Sequence, residues 1–394
     1  MSATGRRDLM ADLGALPSTP NRAGTVSRRP RDHRAPGGGE LGSPGIGDSH
    51  EDEAVAAYDE VVASFAQSPE QDLREKVAAA LSKKGFRLSE LGRLTEALAV
   101  YSDVVGRFGA STDPVLLRLV GVSLLNKGVV FGRLHRWEEE VAACDELVAL
   151  SGQSPDRALR EQVARALFNK GLALGRLGRT GEQVAAYADV LARVGEDAEL
   201  FQRGRVPGAL TSKGAVTGGQ GRLEEALGVY DEVVARCGQG SDPALRQQAA
   251  KALVNKGTVL GRLGRLEQAL GAYDEVVSRF GDAGPEMGEQ VAKALVNKGV
   301  VLGRLGRLEE TLGACDEVVA RFGNDSAPVQ RERVAMALIN RGRALAELDR
   351  LDEALGAWRE VIARFGEDPD QALRERCADA RAVAASYESP GQGT

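Results

Sequence analysis

The chain is short of the residues that chemistry usually needs. Its 394 residues hold three histidines, four cysteines and 4% aromatics. His33, His50 and His135 are scattered and no Cys-x-x-Cys occurs, so a zinc site has no ligand set to draw on. There is no Gly-x-x-x-x-Gly-Lys-Ser/Thr loop, and no Ser/His/Asp constellation can be assembled. No catalytic residue, metal or cofactor is therefore expected. A net charge of −6 gives no global attraction toward nucleic acid or an anionic membrane. No stretch reads as the run of about 18 apolar residues that a membrane span requires. Leu9 to Leu16 is broken by Asp12 and Gly14, unlike the apolar core of a signal peptide. A cytoplasmic protein is expected, with no nucleic-acid or membrane partner.

What is present is one unit, repeated. A glycine column runs Gly85, Gly128, Gly171, Gly214, Gly257, Gly299, Gly342, at spacings of 43, 43, 43, 43, 42 and 43 residues. Beside it runs an aromatic-or-cysteine column: Tyr58, Tyr101, Cys144, Tyr187, Tyr230, Tyr273, Cys315, Trp358, with its 42-residue step in the same place. Two columns drifting together mark a tandem array, in which each unit packs on its neighbours and length forces no new core. Cys144 and Cys315 fill the aromatic slot, and Cys237 stands where Phe280 and Phe322 stand in their units, so these read as small buried hydrophobes.

Each unit reads as two helices. Around Gly257, Asp242-Pro243 opens the first helix with a capping carboxylate and a proline whose missing N–H costs nothing there. Asp113-Pro114, Ser154-Pro155 and Asp368-Pro369 are expected to repeat the device. The first helix should run to Leu263 and end at Gly264; the second should start at Arg265-Leu266-Glu267 and end at Phe280-Gly281. A close glycine–alanine approach with the aromatic beside it explains both columns. Residues 1–50 differ: seven Arg, no Lys, five acids and the tract Pro36-Gly37-Gly38-Gly39 indicate a disordered tail. The expected organisation is that tail, a solenoid over 51–387, and a second disordered tail over 388–394. The solenoid comprises a half repeat at 51–65, seven helix pairs and a capping helix at 369–387.

The pattern Leu253-x-x-x-Gly257-x-x-Leu260-x-x-x-Gly264-x-x-x-x-Ala269-x-x-x-Tyr273 resembles the tetratricopeptide repeat, a helix–turn–helix unit of about 34 residues. The units here are longer, the excess lying in Gln239–Ala249, and in this they are similar to the repeats of kinesin light chains. They also have Gly281 or Gly323 after the second helix, where the family usually has proline. The resemblance implies an all-α fold, a right-handed α–α superhelix of about sixteen helices. It also implies a concave wall, made by the first helices, that binds peptides or proteins.

Several columns fall on that wall. Asparagines recur at Asn126, Asn169, Asn255, Asn297 and Asn340, and arginines at Arg133, Arg176, Arg262 and Arg304; Lys251 and Lys293 lead the stripe in two units. An amide can pair with an extended backbone whatever its side chains, and guanidinium groups suit carboxylates. The asparagine column is similar to the ladder of O-linked N-acetylglucosamine transferases, which hold peptides by their backbone. The alternative is structural: an asparagine that caps a neighbouring helix or bonds a carbonyl of the next unit. The expected function is thus a non-catalytic scaffold holding a peptide or protein segment, acidic or ending in a C-terminal carboxylate. The other class is self-assembly through the repeat ends; composition leaves the oligomeric state open.

Two features are read as structural. Lys127, Lys170, Lys213, Lys256, Lys298 and Arg341 are expected to pair with acids after the aromatic column, among them Asp59, Asp103, Asp145, Asp189, Asp231, Asp274 and Asp316. The unit around Gly214 carries Pro207 between Gly204 and Gly208, and Gly218-Gly219 in place of the arginine. That implies a first helix starting late, near Pro207, or a hinge.

Overall fold

The computed structural model describes residues 46–388 apart from 152–153, 195–196, 198, 200, 202–204, 239–240 and 283. The expected N-terminal tail lies outside the described residues up to position 45, as do Gly204 and the C-terminal residues 389–394. Every described element is a helix: α1 (Ile46–Phe65), α2 (Gln71–Glu90), α3 (Leu94–Phe108), α4 (Pro114–Arg133), α5 (Trp137–Ser151), α6 (Arg157–Arg176), α7 (Thr180–Val194), α8 (Arg205–Gly219), α9 (Leu223–Cys237), α10 (Pro243–Arg262), α11 (Leu266–Phe280), α12 (Pro285–Arg304), α13 (Leu308–Phe322), α14 (Pro328–Glu347), α15 (Leu351–Phe365) and α16 (Gln371–Glu388). The chain divides into two compact units, Met1–Ala209 and Leu210–Thr394, the division falling inside α8.

Within each unit, consecutive helices pack side by side and each first helix also touches the next first helix, as in α2 on α4 or α10 on α12. The core is therefore a seam that runs on through the stack. In the first unit Val55, Leu88, Tyr101, Val130 and Phe131 form one such stretch across α1 to α4. Tyr101, Tyr187, Tyr230, Tyr273 and Trp358 are all fully buried. Close approach dictates the glycine opposite: a β-carbon on Gly257 would lie 2.5 Å from Tyr273 Cε1, and one on Gly214 2.7 Å from Tyr230 Cε1.

The helix ends follow local chemistry. Asp242 accepts the amides of Ala244 (2.7 Å) and Leu245 (3.2 Å), and Asp113 those of Val115 and Leu116. Two expected caps sit elsewhere. The Ser154 and Asp368 side chains accept the amides of Asp156 and Asp370, closing a turn, and those aspartates stand immediately before the helices at Arg157 and Gln371. First helices end in a left-handed residue: Gly92, Gly178, Gly264 and Gly306 have φ of 71–78°. His135 and Asp349 take the same place at φ 59°, so this histidine is a turn residue.

α8 has 15 residues where α10 has 20, and Pro207 lies in its first turn, where its missing N–H is harmless. The late-start reading of this helix thus matches the structure. α4 corrects the reading of hydropathy, since it is long and apolar enough to cross a bilayer; 78% of that apolar window is buried against neighbouring helices, as befits a core helix.

Candidate functional site

The first-helix register fixes where each singled-out side chain points. A tyrosine on the second helix is long enough to bring its hydroxyl to the next first helix, where the asparagine stands. Asn255 faces the Tyr230 hydroxyl. Tyr273 meets Thr258 Oγ1 at 3.4 Å, and Asn297 Nδ2 lies 3.5 Å from that same oxygen. Asn126 faces the Tyr101 hydroxyl without closing a hydrogen bond of good geometry. Burial raises these phenols, Tyr230 to about 12, while the asparagine pulls in the opposite direction. Asn126 and Asn169 are buried, at 0% and 5% exposure, and do not reach the surface that a guest would touch. Asn255, Asn297 and Asn340 are half-buried. The asparagine column thus lies along the seams: Asn126, Asn255 and Asn297 face buried phenols, and Asn169 and Asn340 stand at the seams where cysteine replaces the tyrosine.

The arginines are also tied across the seam, though by one nitrogen only. Arg133 Nη1 donates to the Ser89 carbonyl (2.7 Å) and Ser89 Oγ (2.9 Å), Arg262 Nη1 to Gly218 O (2.8 Å) and Arg304 Nη1 to Gly261 O (3.0 Å). Each acceptor lies in the last turn of the preceding first helix, where carbonyls lack intrahelical partners and the dipole favours a cation. All three residues, and Arg176 in the same register, remain exposed.

Lys251 and Lys293 come together with a residue that periodicity did not single out. Arg333 stands one turn before Met336, which holds the lysine register in α14, and its Nη1 lies 3.3 Å from Met336 Sδ. Its Nε is buried with no hydrogen-bond partner. Burial lowers the Lys293 pKa first, then repulsion from Arg333 and Lys251 lowers it further, with Glu289 the opposing acid. Three cations on consecutive first helices therefore repel one another on one face. Because Arg333 is out of register by three residues, a column search passes over it.

The lysine column on the opposite stripe is structural in five units. Lys84–Asp59, Lys170–Asp145 and Lys256–Asp231 close at 2.5 Å, Lys298–Asp274 at 2.6 Å and Arg341–Asp316 at 2.8 Å. Asp103 and Asp189 correct the rule: they lie two residues after their tyrosines instead of one. Asp103 turns to Arg107 at 2.7 Å, and among the described residues no ion pair joins Lys127 or Lys213 to either acid.

Residues 254–327 match the family model of the tetratricopeptide repeat. No curated protein matches the chain. Among solved structures the chain is similar to the apo form of RapI, at 14% identity and a TM-score of 0.55, covering 88% of this chain and 96% of that one. A tetratricopeptide repeat protein from Parabacteroides merdae aligns at 13% identity and TM-score 0.45, over 77% of this chain and 98% of that one. BtubC from P. vanneervenii aligns at 15% and 0.46, over 66% and 96%. The all-α superhelical repeat class implied by the resemblance to the tetratricopeptide repeat is the fold found.

Proposed function

We propose that this chain, a tetratricopeptide-repeat protein, is a non-catalytic interaction scaffold that holds a peptide or protein segment in a groove lined by its first helices. The segment is acidic or presents a C-terminal carboxylate, and the setting is cytoplasmic. The observation supporting this is the row Lys251, Lys293, Arg333, in which burial and then repulsion from Arg333 and Lys251 disfavour the charged form of half-buried Lys293. A carboxylate set among them would relieve that repulsion and give Arg333 Nε an acceptor, as charge-assisted bonds worth about 1.5–3 kcal/mol do when desolvated. Arg262 and Arg304 keep donors free beyond their seam bond and extend the same surface.

The test is fluorescence anisotropy with a labelled Glu/Asp-rich decapeptide ending in a free carboxylate. Lys251→Ala with Lys293→Ala should weaken binding about tenfold or more, steeply in low salt, at an unchanged melting temperature. Binding equal in the wild type and the double variant would remove the acidic-partner reading.

A further inference from the structure

Between α12 and α14 the repeat loses two side chains at one seam. Position 315 is cysteine where the two preceding repeats have Tyr230 and Tyr273, and position 347 is glutamate where they lead into Arg262 and Arg304. One seam earlier, the Tyr273 ring lies against Gly257, its hydroxyl meets Thr258, and Arg304 crosses to Gly261 O. Here a β-carbon on Gly299 would meet only Cys315 Sγ at 3.5 Å and Ala314 Cβ at 3.9 Å, and Glu347 has no donor to span the seam. Beside this seam lies a cavity of about 170 Å³ lined by Gly299, Val300 and Gly303 of α12, Thr311 of α13 and Asn340, Arg343 and Glu347 of α14. Val300 beside it is 44% exposed, so the lining continues onto the first-helix face. The other cysteine seam is an internal control: behind Cys144 the arginine register is kept by Arg176, and Asn169 there is 5% exposed whereas Asn340 is half-buried.

We propose that this slot receives a tyrosine side chain from the bound partner, its ring on Gly299 and Gly303 and its hydroxyl on the Asn340 amide. The array supplies the precedent, because Gly257 and Asn297 hold the same registers around Tyr273. The size agrees, since an apolar protein cavity of about 150 Å³ accepts benzene. Asn340 distinguishes a phenol from a plain ring, its amide offering both donor and acceptor. The inference rests on the first-helix face being the partner surface and narrows what that partner presents.

The experiment is ligand-observed NMR on the full chain with 4-methylphenol, the isolated tyrosine side chain, and with toluene. Wild type should bind 4-methylphenol saturably and about fivefold tighter than toluene, the value of one neutral hydrogen bond. Cys315→Tyr, which puts the ring back from inside, should abolish binding of both. Val300→Trp, an exposed substitution at the mouth, should do the same without touching the core. Asn340→Ala should erase the preference for the phenol. No saturable binding by wild type at millimolar concentration, or binding that survives both blocking variants, overturns the slot; equal affinity for the two ligands overturns tyrosine as its occupant. The lysine variants bear on the acidic wall alone, so either reading can fail while the other stands.

Discussion

At the scale of single residues, the aromatic column decides what each glycine opposite it can tolerate. Gly257→Ala would put a methyl 2.5 Å from the ring of Tyr273, which is fully buried. Overpacking of this kind costs about 1–3 kcal/mol, against which alanine returns at most about 1 kcal/mol of helix propensity. Gly299→Ala meets Cys315 Sγ at an ordinary 3.5 Å and keeps the propensity gain. The expected outcome is a lower denaturant midpoint for Gly257→Ala and an equal or higher one for Gly299→Ala; the same sign for both would mean the ring does not set the constraint. Such positions show how much of the site was legible in the sequence. The glycine, tyrosine and asparagine columns were all readable as columns. Which way the asparagines face was not, because it depends on the length of a tyrosine reaching across a seam, a contact between residues 24–25 apart such as Tyr273 and Asn297. Arg333 escaped for a different reason: a three-residue displacement along α14 breaks the periodicity while leaving it close in space to Lys293.

At the scale of the helix, the first and second members of each pair have different reserves of stability. First helices are crowded on several sides, and their glycines mostly abut a neighbour. Second helices carry exposed glycines at Gly228, Gly271, Gly313 and Gly356, and a β-carbon built on any of them meets nothing within 4 Å. Each sits mid-helix, where glycine costs about 1 kcal/mol relative to alanine. Replacing all four with alanine should raise the apparent unfolding free energy by about 2–4 kcal/mol, read from chemical denaturation followed by circular dichroism, with peptide binding unaffected because these residues lie off the first-helix face. No gain would indicate that the glycines meet a partner on that surface. Helix ends were legible at Asp113-Pro114 and Asp242-Pro243, where the aspartate caps the helix that its proline opens. They were misplaced at Ser154 and Asp368, where the side chain closes a preceding turn and leaves capping to the aspartate two residues on.

For the whole molecule, linear construction makes the weakest unit the place where cooperativity should break. A repeat array is stabilised by nearest-neighbour interfaces, so a helix with few residues and poor propensity is under-supported from within and cannot borrow from a distant core. α8 is that helix. It is five residues shorter than α10, carries Gly208, Gly214, Gly218 and Gly219, and lacks the arginine that in α4, α10 and α12 donates to the preceding helix's last turn. The division of the chain into two compact units also falls within it. Its sequence announced the weakness through Pro207 and the paired glycines, and of the late start and the hinge that these left open, the helix has the late start, at Arg205. Native-state hydrogen exchange should therefore show α8 amides opening at a lower free energy than those of α6 and α10, which hold two glycines each, by about the 2 kcal/mol that its two extra glycines remove. Gly219→Ala, whose new methyl has open space, should recover part of that gap. Protection in α8 equal to that of both flanking first helices would mean the stack unfolds as one cooperative body despite its short member.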